Sequence, residues 1–481
     1  MSVRIKSMIH DAGGVRAISV RWVFRAELRL ESATHLGGGL GEIADMVVLR
    51  DKRSGSPLLL GTSLGGALRS YLGDVLGGYR SQEDTCVAEL FGGARGLESG
   101  DQSPLIVFDS LGEIPKDKMA EIRDGVQIDP RWGVAEDKKK YDFEVIPAGT
   151  TFPLRFDLLI PDMDQEDFLV SLLVAALQGL ARGEISLGAR RSRGLGKVQA
   201  TRWWANRYDL TSREGWLEWT LSEYWEPDQQ LLPENSASSS PEEACRRTYD
   251  KIDLKSFEDK RECIRADLQF EIQGSLLIRS APGVTDAPDV VHLHTSGRPV
   301  LPGTSLVGVL RSHALRIARL MRGAAGDSLV TRLFGPRLEG TTFKDFAPSA
   351  SKLRVSESFI ENPTKKNQTR IAVDRFTGGV AKGALFDEQV LQKGRIMVHL
   401  EIRNPTEEEA GLLVLLIRDL LAGEIPVGGG ASVGRGILKG TGSICFPGNK
   451  KVVIGKDLYV DDEGRKMLDN KIKSFVEGGG G

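Results

Sequence analysis

The chain has 481 residues, with 64 Lys plus Arg against 66 Asp plus Glu and a formal net charge of −2. At about 150 residues per domain, this length predicts two to four domains. Hydrophobic residues make up 40% and aromatic residues 6%, enough for packed cores. No run reaches the roughly 18 apolar residues of a membrane span, and the N-terminus has no apolar stretch of signal-peptide type. The expectation is therefore a soluble, cytoplasmic chain with no membrane partner. Cys86, Cys245, Cys263 and Cys445 are scattered and form neither a disulfide framework nor a CxxC pair. The 6 histidines are too dispersed for a zinc enzyme, and glycine is the compositional outlier at 56 residues.

In chain order, Val20, Trp22, Phe24, Ala26, Leu28 and Leu30 alternate with mostly charged residues and predict a half-buried strand. A glycine-rich loop follows at 37–41, then the extended run Met46–Leu49. A helix is predicted from an N-cap at Thr62 or Ser63, with Leu64, Ala67, Leu68, Tyr71, Leu72 and Val75 at helical spacing. Phe152, Leu154, Phe156 and Leu158 read as another strand. An apolar helix covers 165–181, and the loop Gly188–Gly196 leads into a last strand. The segment 227–262 opens Pro/Ser-rich and acidic, as a linker does. Beyond it the series starts again, with strands at Leu268–Ile272 and Ile396–Ile402, a helix over 406–422 and the loop Gly428–Gly436.

This recurrence is an internal duplication. Gly61-Thr-Ser-Leu-Gly-Gly-Ala-Leu-Arg69 returns as Gly303-Thr-Ser-Leu-Val-Gly-Val-Leu-Arg311. Leu90-Phe91-Gly92 returns as Leu333-Phe334-Gly335, Asp129 as Asp374, and Gly183-Glu-Ile with its following glycines as Gly423-Glu-Ile. Strand–helix–strand taken twice is the ferredoxin-like order. The fold class is α+β, with two tandem ferredoxin-like (RRM-like) domains carrying large insertions, mainly at 80–150 and 313–390. The boundaries expected are 1–226 for the first domain, 227–262 for the linker, 263–455 for the second domain and 456–481 for a C-terminal extension with a glycine tail.

The repeated loops suggest anion chemistry. Gly188, Gly194 and Gly196 permit positive φ and close backbone approach, so successive N–H groups can cradle phosphate. Arg190, Arg191, Arg193 and Lys197 add charge suited to a polyanion. The second copy keeps Gly428, Gly434 and Gly436 but only Arg435 among the cations. The competing reading is an ordinary glycine-rich turn with solvated charges. Thr62, Ser63, Thr304 and Ser305 sit at predicted helix N-termini, ready anion sites with Arg69 or Arg311 two turns along. Dinucleotide motifs fail: Arg191 and Val198 stand where a Walker loop needs Gly and Ser/Thr, and Gly39-Leu-Gly41-Glu-Ile-Ala44 is followed by strand, not helix.

His35-Leu-Gly-Gly-Gly, Asp45-x-Val-Val-Leu-Arg-Asp51, Gly-Thr-Ser-Leu-x-Gly-x-Leu-Arg, Leu-Phe-Gly and the closing glycine loop occur in that order. The second half carries Leu301-Pro302-Gly303-Thr-Ser-Leu, Ile371-Ala-Val-Asp374-Arg375-Phe-Thr-Gly-Gly and Leu385-Phe386-Asp387. Together these resemble the RAMP superfamily, and more narrowly the backbone subunits of type III CRISPR effector complexes of the Csm/Cmr type, here as a fusion of two such domains. The resemblance implies a subunit that holds CRISPR guide RNA by its backbone, partners complementary target RNA and other CRISPR effector subunits, and kinks the duplex with β-hairpin thumbs at 126–146 and 368–390. No RNP1-like motif occurs, so recognition would go through phosphates and shape. Arg375 joins the RNA-contact candidates through its motif position.

In cleaving relatives, a loop aspartate cuts target RNA beside each kink. Asp45 matches that position. In the second domain Asp286 is the first candidate and Asp289 the second, since an ungapped offset lands on Ala287 between them. The implied activity is a metal-dependent endoribonuclease, with Mg²⁺ or another divalent ion held by Asp45 and Asp286. A purely structural RNA-binding subunit and a guide-processing endoribonuclease are the alternatives. His35 is expected to be structural.

Overall fold

The computed structural model of the chain describes residues 18–39, 44–79, 84–93, 102–129, 134–222, 236–282, 288–336 and 349–478. In the first domain the elements are β1 (Val20–Leu30), α1 (Gly61–Gly77), α2 (Thr85–Phe91), β2 (Leu105–Val107), β3 (Glu121–Ile128), β4 (Ala135–Val145), β5 (Thr151–Ile160), α3 (Glu166–Ala181) and β6 (Val198–Asp209). The alternation in β1 is realised: Val20, Trp22, Phe24, Ala26, Leu28 and Leu30 are all buried on one face. The strands form an antiparallel sheet in the order β6-β1-β5-β2. That is the ferredoxin-like order, with α1 and α3 laid on the buried face, where Leu64, Leu68, Leu172 and Leu177 meet Phe24, Phe152 and Phe156. Each such fully buried side chain contributes about 1.5–3 kcal/mol relative to exposure.

The second domain repeats the plan with β7 (Cys263–Gln273), α6 (Gly303–Arg322), α7 (Ala325–Phe334), β8 (Leu353–Val355), β9 (Thr364–Val373), β10 (Val380–Gln392), β11 (Arg395–Arg403), α8 (Glu407–Ala422) and β12 (Ile437–Phe446). Here β12, β7 and β11 are neighbours, β8 pairs with β11, and β13 (Lys450–Ile454) extends the sheet beyond β12. A separate core cluster fills this domain. The Leu-Phe-Gly motifs end α2 and α7. Gly92 and Gly335 follow those helices at φ 78 and 81, conformations that stop a helix and suit glycine.

Two boundaries differ from the sequence reading. The segment 236–258 is structured rather than a loose linker, whereas 227–235 lies outside the described residues. It holds α5 (Pro241–Thr248), started by Ser240, whose hydroxyl accepts the Glu243 N–H at 3.1 Å. Ala244, Cys245 and Ile252 are buried in the first domain's core. A further helix, α4 (Arg213–Leu221), folds over one end of the other sheet face, where Trp219 packs with Val23 and Tyr208. At the C-terminus α9 (Asp462–Glu477) is part of the second core through Leu468 and Phe475. The glycine tail from 479 lies outside the described residues. No helix among the described residues is long and apolar enough to cross a membrane.

Candidate nucleic-acid interface

Each domain carries a hairpin, β3/β4 in the first and β9/β10 in the second, where the sequence places the thumbs. Both present apolar side chains to solvent: Ile122, Val126 and Ile128 on one, Val373, Phe376 and Leu385 on the other. Phe376, at the tip, is 85% exposed. The turn beneath it is built by Asp374, whose carboxylate accepts the N–H groups of Phe376 and Thr377 at 3.0 and 2.8 Å. Those bonds, the Thr377 one first, hold the Asp374 carboxyl below its ordinary pKa. Exposed Arg375 lies beside it, its guanidinium carbon 5.2 Å from the Phe376 ring centroid.

At the base of each hairpin a loop aspartate is tied to the second strand. The Asp45 N–H donates to Asp142 Oδ1 at 2.7 Å, and the Asp142 N–H returns to Asp45 Oδ2 at 3.0 Å. The next residue, Met46, accepts the Glu144 N–H at 2.9 Å. In the second domain the Asp387 N–H donates to Asp289 Oδ2 at 2.9 Å, and the following Val290 accepts the Gln389 N–H at 2.8 Å. The bridges Met46–Phe143 and Val290–Glu388 are both parallel. Asp289 therefore occupies the place of Asp45, and Asp387 that of Asp142. Asp286, the first candidate from the sequence, lies outside the described residues. Sequence reading left Asp142 unremarked and quoted Asp387 within a motif without a site role, although their spacing repeats that of Asp129 and Asp374.

Each site so holds two carboxylates. Asp45, Asp289 and Asp387 are exposed and Asp142 is half-buried. A hard cation such as Mg²⁺, which keeps several waters and takes one or two carboxylates, matches this donor set. No group of three or more His, Cys, Asp or Glu clusters among the described residues. His35 is buried and its Nδ1 is 2.7 Å from the Glu144 carbonyl, as a structural histidine.

The glycine loop is not the open phosphate cradle expected of it. The N–H groups of Ala189 and Gly196 donate to His35 and Ala33 carbonyls at 2.9 and 3.0 Å, and those of Arg193 and Gly194 stay within the loop. A Cβ at Gly188 would lie 2.3 Å from the His35 oxygen, and one at Gly196 1.8 Å from the Leu187 oxygen. These glycines, like Gly428 and Gly436 in the second copy, serve backbone packing.

The loop cations divide by role. Arg190 donates to the Tyr141 hydroxyl at 3.0 Å and lies 4.0 Å from the Phe143 ring centroid, which fastens the loop to the hairpin. Arg435 performs the same task in the second domain. It is buried, with Nη1 2.7 Å from Glu388 Oε2 and Nη2 2.5 Å from Gln368 Oε1, so it offers no charge to solvent. Arg193 is largely withdrawn at the junction with the second domain, and burial lowers its pKa. Its carbonyl oxygen faces Gly303, where a Cβ would come within 2.3 Å. Arg191 and Lys197 are exposed.

The helix N-termini also differ from expectation. α1 begins at Gly61 with Leu60 as N-cap, and no side-chain cap comes from Thr62 or Ser63. Instead Asp109 Oδ1 accepts the Gly61 N–H at 2.6 Å. In the second domain α6 begins at Gly303 behind Pro302, again without a side-chain cap. Thr62 and Ser63 are exposed, whereas Thr304, Ser305, Arg69 and Arg311 are half-buried.

No curated protein matches the chain. The family model of the RAMP superfamily matches it twice, over residues 27–199 and 270–439, one match on each ferredoxin-like unit. With two tandem copies covering most of its length, the chain belongs to the RAMP superfamily.

Proposed function

We propose that this chain is a guide-RNA-binding backbone subunit of a type III CRISPR ribonucleoprotein that also cleaves complementary target RNA, once beside Asp45 and once beside Asp289. Membership of the RAMP superfamily places it with CRISPR-associated RNA-binding subunits. The observation that carries the finer reading is the repeated geometry: an exposed loop aspartate bonded to the second strand of a projecting hairpin, at the same place in both domains.

The chemistry follows from that placement. Apolar side chains on a hairpin can wedge between stacked bases, as Val373 and Phe376 are positioned to do. A nucleotide displaced there can rotate its 2′-hydroxyl in line with its own phosphate. The O2′–P bond forms, the P–O5′ bond breaks, the 2′ proton passes to the loop carboxylate and water protonates the leaving 5′ oxygen. The products are a 2′,3′-cyclic phosphate and a 5′-hydroxyl. Asp45 with Asp142, and Asp289 with Asp387, are the residues that would hold a divalent ion. When bound, that ion neutralises charge developing on the phosphate.

The test is a cleavage ladder from the assembled complex with end-labelled target RNA, together with sequencing of the RNA that co-purifies. Repeat-derived guide RNA supports the subunit class, and its absence overturns it. Loss of one product each in Asp45→Asn and Asp289→Asn supports the cleavage assignment. An unchanged ladder overturns it.

A further inference from the structure

The two sheets differ on the face that the core helices leave uncovered. In the first domain the odd-numbered residues of β1 point there, and the register sets Arg155 and Trp204 on either side of Arg25. Two residues along β1, Glu27 lies beside Arg202. With Arg21 and Arg29, five arginines share this face with two strand carboxylates, and Glu31, just past β1, lies 3.9 Å from Arg29.

Both strand carboxylates are already engaged. Asp157, fully buried, accepts bonds from Arg21 and from Arg155, the latter at 2.9 Å through Nε. Glu27 accepts from Arg202 at 3.0 Å. Arg25 is left without a hydrogen bond or ion pair among the described residues. Burial first, and the neighbouring Arg155 second, depress its pKa, more than the Asp157 carboxylate shared with Arg21 and Arg155 can offset. Beside it the Trp204 indole N–H is buried and has no acceptor among the described residues. The Arg202 guanidinium carbon lies 5.3 Å from the Trp204 ring centroid. A half-buried cation and an indole donor without partners both cost free energy, and an anionic ligand with acceptor oxygens recovers it.

The duplicated domain is an internal control. Its central row reads His399, Asp267, Ser443 where the first domain has Arg155, Arg25, Trp204. There His399 Nδ1 and Asp267 Oδ1 are 2.6 Å apart, and Arg265 and Arg403 both reach Glu401, at 3.3 and 2.9 Å. One arginine of that face, Arg354 beside Glu401, nevertheless has its pKa held down to about 10 by burial first and Arg403 second. The Arg155, Arg25, Trp204 row is therefore not a requirement of the fold: the second domain has an arginine depressed by burial on this face but no tryptophan beside it.

We propose that this sheet face of the first domain, beyond the end that α4 covers, is a second RNA-binding surface, taking an unpaired RNA segment on Arg25, Arg202 and Trp204. Guanidinium groups neutralise successive phosphates, and an aromatic ring beside them stacks a base of any identity. An acidic protein segment would satisfy the charges but make no use of the ring, so the combination favours RNA. The surface lies on the opposite side of the sheet from the core helices and uses none of the hairpin residues, so it serves RNA that the guide does not pair.

The full-length chain is titrated into a fluorescent oligouridine at several salt concentrations, and fluorescence anisotropy reads the affinity. Arg25→Gln/Arg202→Gln weakens binding by about tenfold or more and flattens the log–log salt slope by about one to two, with the melting temperature checking that the variant is folded. A 4-thiouridine crosslink on the unaltered chain, mapped by mass spectrometry, falls on the peptides holding Arg25 or Trp204. Unchanged affinity and slope, or crosslinks confined to the hairpins, overturn the proposal. Displacement of the RNA by an oligoglutamate at equal charge concentration overturns it in favour of an acidic protein segment. A chain that co-purifies no guide yet binds oligouridine in this way leaves the surface standing while the guide-RNA function falls.

Discussion

Arg123, on the first domain's hairpin, and Glu357, in the second domain, meet as a two-pronged ion pair, Nη1 to Oε2 at 2.6 Å and Nη2 to Oε1 at 3.1 Å. Each side chain is only 5% exposed. Nearby, the Ser296 N–H donates to Glu121 Oε1 at 2.6 Å, and Arg123 also reaches the Thr295 hydroxyl. The hairpin of one domain is thus clamped to the body of the next by buried polar contacts. This clamp fixes the relative position of the two aspartate sites.

Removing one partner should leave a buried charge uncompensated. Arg123→Met or Glu357→Leu is expected to destabilise the chain by about 3–5 kcal/mol in urea unfolding, while the double variant recovers most of that loss. If the double variant is no more stable than the singles, the pair is not coupled as its geometry requires.

Within the proposed cleavage reaction, Asp142 and Asp387 should matter nearly as much as the loop aspartates they touch. Asp142→Asn keeps the backbone bond to Asp45 but removes a carboxylate. The expected result is a product beside the first site reduced by about tenfold or more, with the second product unchanged and with partial recovery at raised Mg²⁺. Chelation of divalent ions should abolish both products. A band that survives chelation at full rate would remove the metal from the mechanism.

The sequence and the structure part company where distant contacts decide. The alternation of β1, the helices and the duplication were legible because burial of one face imposes a period that local residues display. The partner of Asp45 was not. The repeats at 61 and 303 align without a gap, but the loops before them differ in length, so only the bonds to Asp142 and Asp387 establish the match. Likewise Thr62 and Ser63 have the chemistry of N-caps, yet Asp109 serves the start of α1 from 48 positions away. Arg435 has the composition of a phosphate ligand, but Glu388, on the hairpin, turns it inward. The RAMP assignment itself was readable from the motif order, which the family match covers in both halves.

His292 supplies a pH-dependent element of stability. It is 1% exposed, accepts the Ile278 N–H at Nδ1 at 3.1 Å, and has Nε2 3.0 Å from the Val300 carbonyl. Burial first pushes its pKa down to about 4. The unfolded chain, with an ordinary histidine pKa of about 6.5, binds the proton more readily in the window between these values. Stability is therefore full above pH ~6.5 and falls as the pH drops toward ~4, by up to about 3 kcal/mol. Urea midpoints across that window should fall more steeply for the native chain than for His292→Gln. Equal slopes would remove His292 as the cause.

Gly194 and Gly434 are the same motif position in the two loops, and they should respond differently to alanine. Both have positive φ, 87 and 78, so each variant pays about 1 kcal/mol or more of backbone strain. At Gly434 nothing lies within 4 Å of an added Cβ. At Gly194 the Cβ would stand 2.1 Å from the Glu357 backbone nitrogen, which belongs to the second domain and is not a flexible side-chain end. Gly194→Ala must therefore also separate the domains or shift the strand end at Val355, adding an overpacking cost of about 1–3 kcal/mol. The expected signature is a larger drop in melting temperature for Gly194→Ala than for Gly434→Ala, together with faster proteolysis at the domain junction. Matching drops in the two variants would mean that the loop does not bear on the second domain.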